Sequence, residues 1–204
     1  MTNPEPVSAV IFDLGNVVVN WDIVAIVDSL GVPHEESLRV RQELFEHQHW
    51  VDLDHGHTTE ASVATQIYQR TGIAVSTVKE AMLAAKTMLA DIVPTRELMD
   101  DIARAGIPMY CLSNMSRETY AHIKDRDFFA LFKGIVISGH ERCMKPGAEI
   151  YQRLMTRYNL PAASTLFIDD SLANVEAARE QGIQAFHFRR TEDCYARLRS
   201  LVLR

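Results

Sequence analysis

Val7-Ser-Ala-Val-Ile-Phe-Asp-Leu-Gly-Asn-Val-Val-Val19 is an apolar run interrupted by one carboxylate and a small turn. Val10, Ile11 and Phe12 read as a buried parallel strand, so Asp13 falls where such a strand ends and its crossover begins. Open α/β sheets bind ligands at that edge. An Asp lifted there by a rigid strand, and followed by Gly15 and Asn16 to turn the backbone, is placed to be a nucleophile or a metal ligand. The same residue is equally placed to do no more than cap a turn, and the rest of the chain has to decide.

Downstream, Trp21 to Thr87 lacks strand patterns and carries helical periodicity. Ile23, Ile26, Val27 and Leu30 sit at helical spacing and stop at Gly31. Leu38, Leu44 and Phe45 mark a second helix. Thr59 caps a third, ending at Thr71-Gly72, and a fourth runs from about Val75 to Leu89. From Pro94 onward helix and strand alternate. A helix ending at Gly106 leads to the strand Pro108 to Leu112, and Glu118 to Asp125 leads to Gly134 to Ser138. Ala148 to Tyr158 leads to Thr165 to Ile168, Asn174 to Gln181 leads to Ala185 to Phe188, and Thr191 to Leu203 closes the chain. This alternation implies an α/β fold: a Rossmann-like parallel sheet with helices on both faces and a small helical insertion after the first strand. The expected division is residues 1–19 and 91–204 as the α/β core, with 20–90 as the helical part.

A chain of 204 residues with 47% hydrophobic side chains can bury one good core and an insertion, which excludes a disordered protein. No apolar run approaches the roughly 20 residues needed to cross a bilayer, so no membrane partner is expected. The amino terminus has no basic region followed by a long apolar stretch, so no secretory signal is expected either. Cys111, Cys143 and Cys194 are widely spaced and odd in number, which suits free thiols and a cytoplasmic location. The net charge of -6 is spread along the chain without a basic cluster, which argues against nucleic acid as a partner. A monomer or homodimer is expected.

The residues standing after each strand converge at one sheet edge. They are Asp13, then Ser113 and Asn114, then Lys145-Pro146 after an intervening loop, then Asp169 and Asp170 with Asn174 a turn further on. Crowded carboxylates repel one another unless a cation lies among them, and hard oxygen donors suit Mg²⁺. Mg²⁺ and Lys145 together could neutralise a phosphate dianion, while Ser113 and nearby backbone N–H groups held its remaining oxygens. The Asp13 carboxylate could then attack phosphorus. Asn114 is a candidate either for the phosphoryl group or for capping the helix that follows.

These four stretches, in this order, resemble the motifs of the haloacid dehalogenase superfamily: Asp13 with its turn, Ser113, Lys145-Pro146, and Asp169-Asp170. The resemblance covers essentially the whole chain, because the helical insertion is similar to that superfamily's small helical cap. It implies a phosphoric monoester hydrolase acting on a small-molecule phosphate ester, with Asp13, Ser113 and Lys145 catalytic and Ser113, Asn114 and Lys145 binding phosphate. It also implies Mg²⁺ held by Asp13, the Gly15 carbonyl and Asp170, with Asp169 assisting. One departure stands out. Most phosphatases of the family carry a second Asp two residues after the nucleophile to protonate the leaving oxygen, and here that position is Gly15. The run Phe12-Asp13-Leu14-Gly15-Asn16-Val17 is similar to a subgroup that includes bacterial α-D-glucose-1-phosphate phosphatases. An anomeric oxygen leaves easily and needs the missing acid less, so a sugar 1-phosphate is an expected substrate. The other readings are a metal-independent dehalogenase on the same fold and a catalytically silent binding protein.

His47, His49, His55 and His57 cluster in the insertion, but their spacing matches no standard zinc site. By resemblance, the turn at His55-Gly56-His57 leans over the cleft, making Trp50, His55 and His57 candidates for substrate selection. Trp21 is expected to pack at the hinge, Cys111 to be core, and Arg142 to pair with Glu141 or reach toward phosphate.

Overall fold

The computed structural model describes residues 5–203, so the first residues of the amino-terminal stretch read above for a secretory signal lie outside the described range. The first element among the described residues is β1 (Ala9–Phe12), whose four residues are all buried. Its neighbours are β2 (Met109–Ser113) on one side and β4 (Thr165–Asp169) on the other. β3 (Phe132–Ile137) and β5 (Gln184–His187) complete a five-stranded sheet in the order β3-β2-β1-β4-β5. All the pairings are parallel, with Phe12 level with Cys111 and Ile168. Successive strands are added first on one side of β1 and then on the other, which places the ends of β1, β2 and β4 side by side, where ligands of such sheets lie.

Between β1 and the rest of the sheet come α1 (Ile23–Asp28), α2 (His34–Val40), α3 (Gln48–Asp54), α4 (Glu60–Thr71) and α5 (Val75–Thr87). The crossovers and closing helix are α6 (Val93–Arg104), α7 (Arg117–Ile123), α8 (Ser138–Glu141), α9 (Ala148–Tyr158), α10 (Leu172–Glu180) and α11 (Glu192–Val202). Local signals explain most of these limits. The Thr59 side chain accepts the Ser62 N–H to open α4, and Gly72 ends it in the left-handed region at φ 76°.

Three elements differ from the sequence expectation. The second helix of the insertion passes from α2 into a π-helical turn over Arg41–Phe45, which rotates Leu44 and Phe45 inward. Helix α3 carries too short an apolar stripe to declare itself, and Ser138 begins the short helix α8 instead of ending a strand.

Apolar packing separates the two faces of the sheet from the insertion. One cluster gathers Val10, Phe12, Leu98, Met99 and Leu198, and a second gathers Ile11, Leu112, Tyr151 and Phe167 on the opposite face. A third, built from Ile26, Leu44, Val63, Ile67, Val78 and Met82, lies wholly within the insertion. The two chain crossings between insertion and sheet are tied to each other: Asn20 donates its N–H to Ala90 at 2.7 Å, and Ile92 to Val18 at 2.9 Å. Among the described residues, no helix is long and apolar enough to cross a membrane.

The insertion meets the sheet edge at Gly56. Its φ is +71°, and a Cβ there would overlap the Gly139 carbonyl oxygen at the start of α8. Gly56→Ala is therefore expected to lower the unfolding free energy by about 1–3 kcal/mol in urea denaturation, through the left-handed backbone and the forced separation of α3 from α8. An unchanged midpoint would show that this approach does not constrain the fold.

Candidate active site

β1 delivers Asp13, whose N–H is anchored on the Ile168 carbonyl at 3.0 Å. The turn that follows is wound around the Leu14 carbonyl, which accepts the N–H groups of Val17, Val18 and Val19 at 3.2, 2.8 and 2.9 Å. Asn16 takes the left-handed conformation, φ 57°, that this winding needs. Its side chain ties the turn together: Oδ1 accepts the Trp21 N–H at 3.2 Å and Arg190 Nη2–H at 2.6 Å.

Lys145 lies at the centre. Its side chain is 1% exposed, and Nζ donates to Asp13 Oδ1 at 2.8 Å and to Asp169 Oδ2 at 2.6 Å. The Asn114 carboxamide fixes the Lys145 backbone from both sides, donating to its carbonyl at 2.8 Å and accepting its N–H at 2.9 Å. Both amide functions of Asn114 are thus engaged in placing the lysine, although the residue also borders the cavity. Asp169 is fully enclosed. Ser171 N–H and the Asn174 amide donate to Oδ1 at 2.8 and 3.1 Å, and the same amide reaches Oδ2 at 3.0 Å. Asp170, next in sequence, is only half-buried and has the Asn16 side chain as a hydrogen-bonding neighbour. Its carboxylate is the freer of the two.

Carboxylate oxygens of Asp13, Asp169 and Asp170 lie within 4.8 Å of one another, and among the described residues this is the one grouping of His, Cys, Asp or Glu close enough to hold a metal. The histidines of the insertion do not form one. His47 and His49 stack on each other, as do His55 and His57, with ring centroids 4.3 and 4.5 Å apart.

Electrostatics point the same way as the geometry. Burial raises the pKa of Asp13, with Lys145 opposing the shift and Asp169 adding to it. Burial and then the Asp169 charge raise that of Asp170. Burial works against the Lys145 ammonium, but the Asp13 and Asp169 charges overcome it and raise its pKa. Ionised together, three carboxylates facing one ammonium would carry an excess of two negative charges in a largely desolvated place, and a divalent cation with oxygen preference fits that excess.

Ser113 ends β2 and is 2% exposed, and its hydroxyl has no hydrogen-bond partner among the described residues. It lines a cavity of about 150 Å³ together with Asp13, Gly15, Asn114 and Lys145. The remaining wall is mixed: Val19, Trp21, Trp50, Leu89 and Met115 are apolar, and Asp54, Thr119 and Asn174 are polar. Trp21 is therefore more than a hinge residue. Its ring lies 5.4 Å from Trp50, and Phe45 stacks behind at 4.8 Å from Trp50.

Of the three insertion residues marked for substrate selection, Trp50 borders this cavity. His55 turns instead toward a neighbouring groove beside Arg142 and Cys143, and His57 is exposed. Arg142 does not pair with Glu141, which binds Arg153 and Arg157 at 3.1 and 2.7 Å.

Asp54 is a cavity residue that the sequence reading missed, as it missed Met115 and Thr119, because Val51-Asp-Leu-Asp-His-Gly56 looks like an ordinary solvated helix end. Burial pushes its carboxyl up to about 7, the Ser116 backbone N–H opposing and the Asp13 charge reinforcing the shift.

The chain belongs to the haloacid dehalogenase-like hydrolase family, which it matches over residues 7–182. It is 25% identical to the sesquiterpene phosphatase AstK of Aspergillus oryzae, over 95% of this chain and 96% of that protein. Its fold is similar to that of the haloacid dehalogenase family enzyme Bt-2542 of Bacteroides thetaiotaomicron, with a TM-score of 0.76 and 23% identity over 96% of this chain and 100% of that one. Bt-2542 has also been solved with magnesium and inorganic phosphate. The L-2-haloacid dehalogenase of Xanthobacter autotrophicus shares the fold at a TM-score of 0.67 and 16% identity, over 95% of this chain and 82% of that one.

Lys145→Met leaves Asp13 and Asp169 buried without their ammonium, and removing one partner of a buried ion pair costs about 3–5 kcal/mol. Urea denaturation without divalent cations is expected to show a loss of that size. A loss below about 1 kcal/mol would mean that the lysine is not the charge balance of this cluster.

Proposed function

We propose that this hydrolase is an Mg²⁺-dependent phosphatase of small phosphate monoesters, and that it passes the phosphoryl group through Asp13. The observation that carries the reading is the convergence of Asp13, Lys145, Asp169 and Asp170 beside the free hydroxyl of Ser113. Asp13, Asp170 and the Gly15 carbonyl would hold the metal, with Asp169 keeping Lys145 in place and assisting. Bound there, Mg²⁺ would supply charge neutralisation for the phosphate dianion.

The chain's own residues do the rest. Asp13 presents an oxygen to phosphorus, Lys145 offsets the charge on both, and Ser113 donates to a phosphate oxygen. Asn114 acts through the Lys145 backbone it holds. The helical insertion serves as a cap over the leaving group. A metal-independent dehalogenase has no use for the charge excess left by three acids around one ammonium.

The leaving group occupies the side walled by Val19, Trp21, Trp50, Leu89 and Met115. Such a wall favours an apolar or aromatic alcohol, since only Asp54, Thr119 and Asn174 stand beside it to receive the hydroxyls of a polyhydroxylated one. The similarity to a sesquiterpene phosphatase supports this preference. A sugar 1-phosphate is the second reading, favoured by Gly15 in place of an acid. The site is read as serving a small-molecule ester in the cytoplasm, without nucleic acid or membrane.

A panel of prenyl, aryl and sugar phosphates tests the assignment. Turnover is expected to vanish in EDTA, to return with Mg²⁺, and to be absent in Asp13→Asn; activity that persists in EDTA would contradict it. Within the panel, kcat/KM for prenyl or aryl esters is expected to exceed that for sugar phosphates. Glucose 1-phosphate hydrolysed no faster than glucose 6-phosphate would remove the second reading.

A further inference from the structure

Expelling an alcohol from a phosphate ester requires a proton for the departing oxygen, and the two residues that follow Asp13 are Leu14 and Gly15, which have none to give. Asp169 is saturated by Lys145, Ser171 and Asn174, and Lys145 is bound between two carboxylates. One carboxyl in the cavity lies outside this cluster: Asp54, contributed by the last turn of α3 in the insertion.

Its placement is enforced from the sheet side. The Asp54 carbonyl accepts Ser138 Oγ–H at 2.5 Å, and Ser138 Oγ in turn accepts the Met115 N–H at 2.9 Å. Gly139 N–H donates to the Met115 carbonyl at 3.1 Å, and Arg117 Nε–H to the Gly139 carbonyl at 2.5 Å. Two residues on from Asp54, the bare Gly56 lies directly against Gly139. The end of α3 is thus locked to the loop after β2 and to α8, so that the Asp54 side chain faces the same small cavity as Asp13.

We propose that Asp54 is the general acid and base of this enzyme, supplied by the insertion in place of the side chain that Gly15 lacks. The proposal rests on the phosphatase reading above. In the first half-reaction an Asp13 oxygen bonds to phosphorus, the bond from phosphorus to the ester oxygen breaks with its electron pair on that oxygen, and the Asp54 proton moves there to release the alcohol. In the second half, a water oxygen bonds to phosphorus while the Asp54 carboxylate takes its proton. The bond from phosphorus to Asp13 then breaks, returning the carboxylate and releasing phosphate. Asp54 ends each cycle protonated, as it began.

Leaving-group dependence distinguishes an acid from a structural residue. kcat/KM is measured with Mg²⁺ for p-nitrophenyl, phenyl and alkyl phosphates, on the full-length wild type, Asp54→Asn and Asp54→Glu. p-Nitrophenolate leaves without a proton, so Asp54→Asn is expected to lose less than about tenfold on that ester and about 10²- to 10⁴-fold on the alkyl ester. Asp54→Glu is expected to recover part of the alkyl activity.

Equal losses on all esters, or none on any, would overturn the role. The wild type alone gives an independent reading should the variants fail to fold: a shallow dependence on leaving-group acidity supports an acid, and a steep one overturns it. A wild type inert toward every ester overturns the phosphatase reading and this role with it. An active wild type with a steep dependence overturns only the role of Asp54.

Discussion

The structure depends on one buried ion cluster. Lys145, with its side chain 1% exposed, binds two carboxylates at 2.6 and 2.8 Å, and a third carboxylate stands alongside. Charges removed from water in this way are costly unless each finds a partner with good geometry. The surrounding chain is arranged to supply that geometry. Asn114 holds the lysine backbone, Asn174 and Ser171 fill the lone pairs of Asp169, and the parallel register fixes Asp13 between β2 and β4. The net charge that remains is the chemical invitation to a divalent cation.

The insertion completes what the sheet edge begins. With its own apolar cluster behind it, it can bring Trp50 and Asp54 over Asp13 as one packed unit. The close approach of Gly56 to Gly139 and the hydrogen bonds through Ser138 leave α3 little freedom at that end. The result is a cavity with one charged pole and one apolar, aromatic wall. That division matches a phosphate monoester, whose phosphoryl group and alcohol have opposite solvation needs.

Much of this was legible in the chain. Val10 to Phe12 form a strand because a fully apolar run in a parallel sheet admits few other readings, and α9 occupies the span its periodicity predicts, Ala148–Tyr158. Asp13, Ser113, Asp169 and Asp170 stand at or just after strand ends that the sheet brings together, and Lys145 reaches the same place from the turn beyond α8.

What escaped was set by tertiary closure. Asp54 sits in a polar stretch with Asp52, His55 and His57, and only the rotation of α3 against α8 turns one of these acids inward while His57 stays in solvent. Asn114 carried a carboxamide suited to phosphate, yet its partner is the Lys145 backbone 31 residues away, a contact no local pattern announces. Trp21 reads as hinge packing in sequence, and becomes cavity wall because the chain crosses back to the sheet beside it.

The central claim is that the buried cluster makes Asp13 the acceptor of a phosphoryl group. A rapid acid quench of a single turnover with Mg²⁺, followed by peptide mass spectrometry, measures this directly. A transient phosphoryl group on Asp13 that forms and decays at the rate of ester hydrolysis is the expected result. Hydrolysis that proceeds with Asp13 unmodified throughout, or a phosphoryl group carried by another side chain, would contradict it.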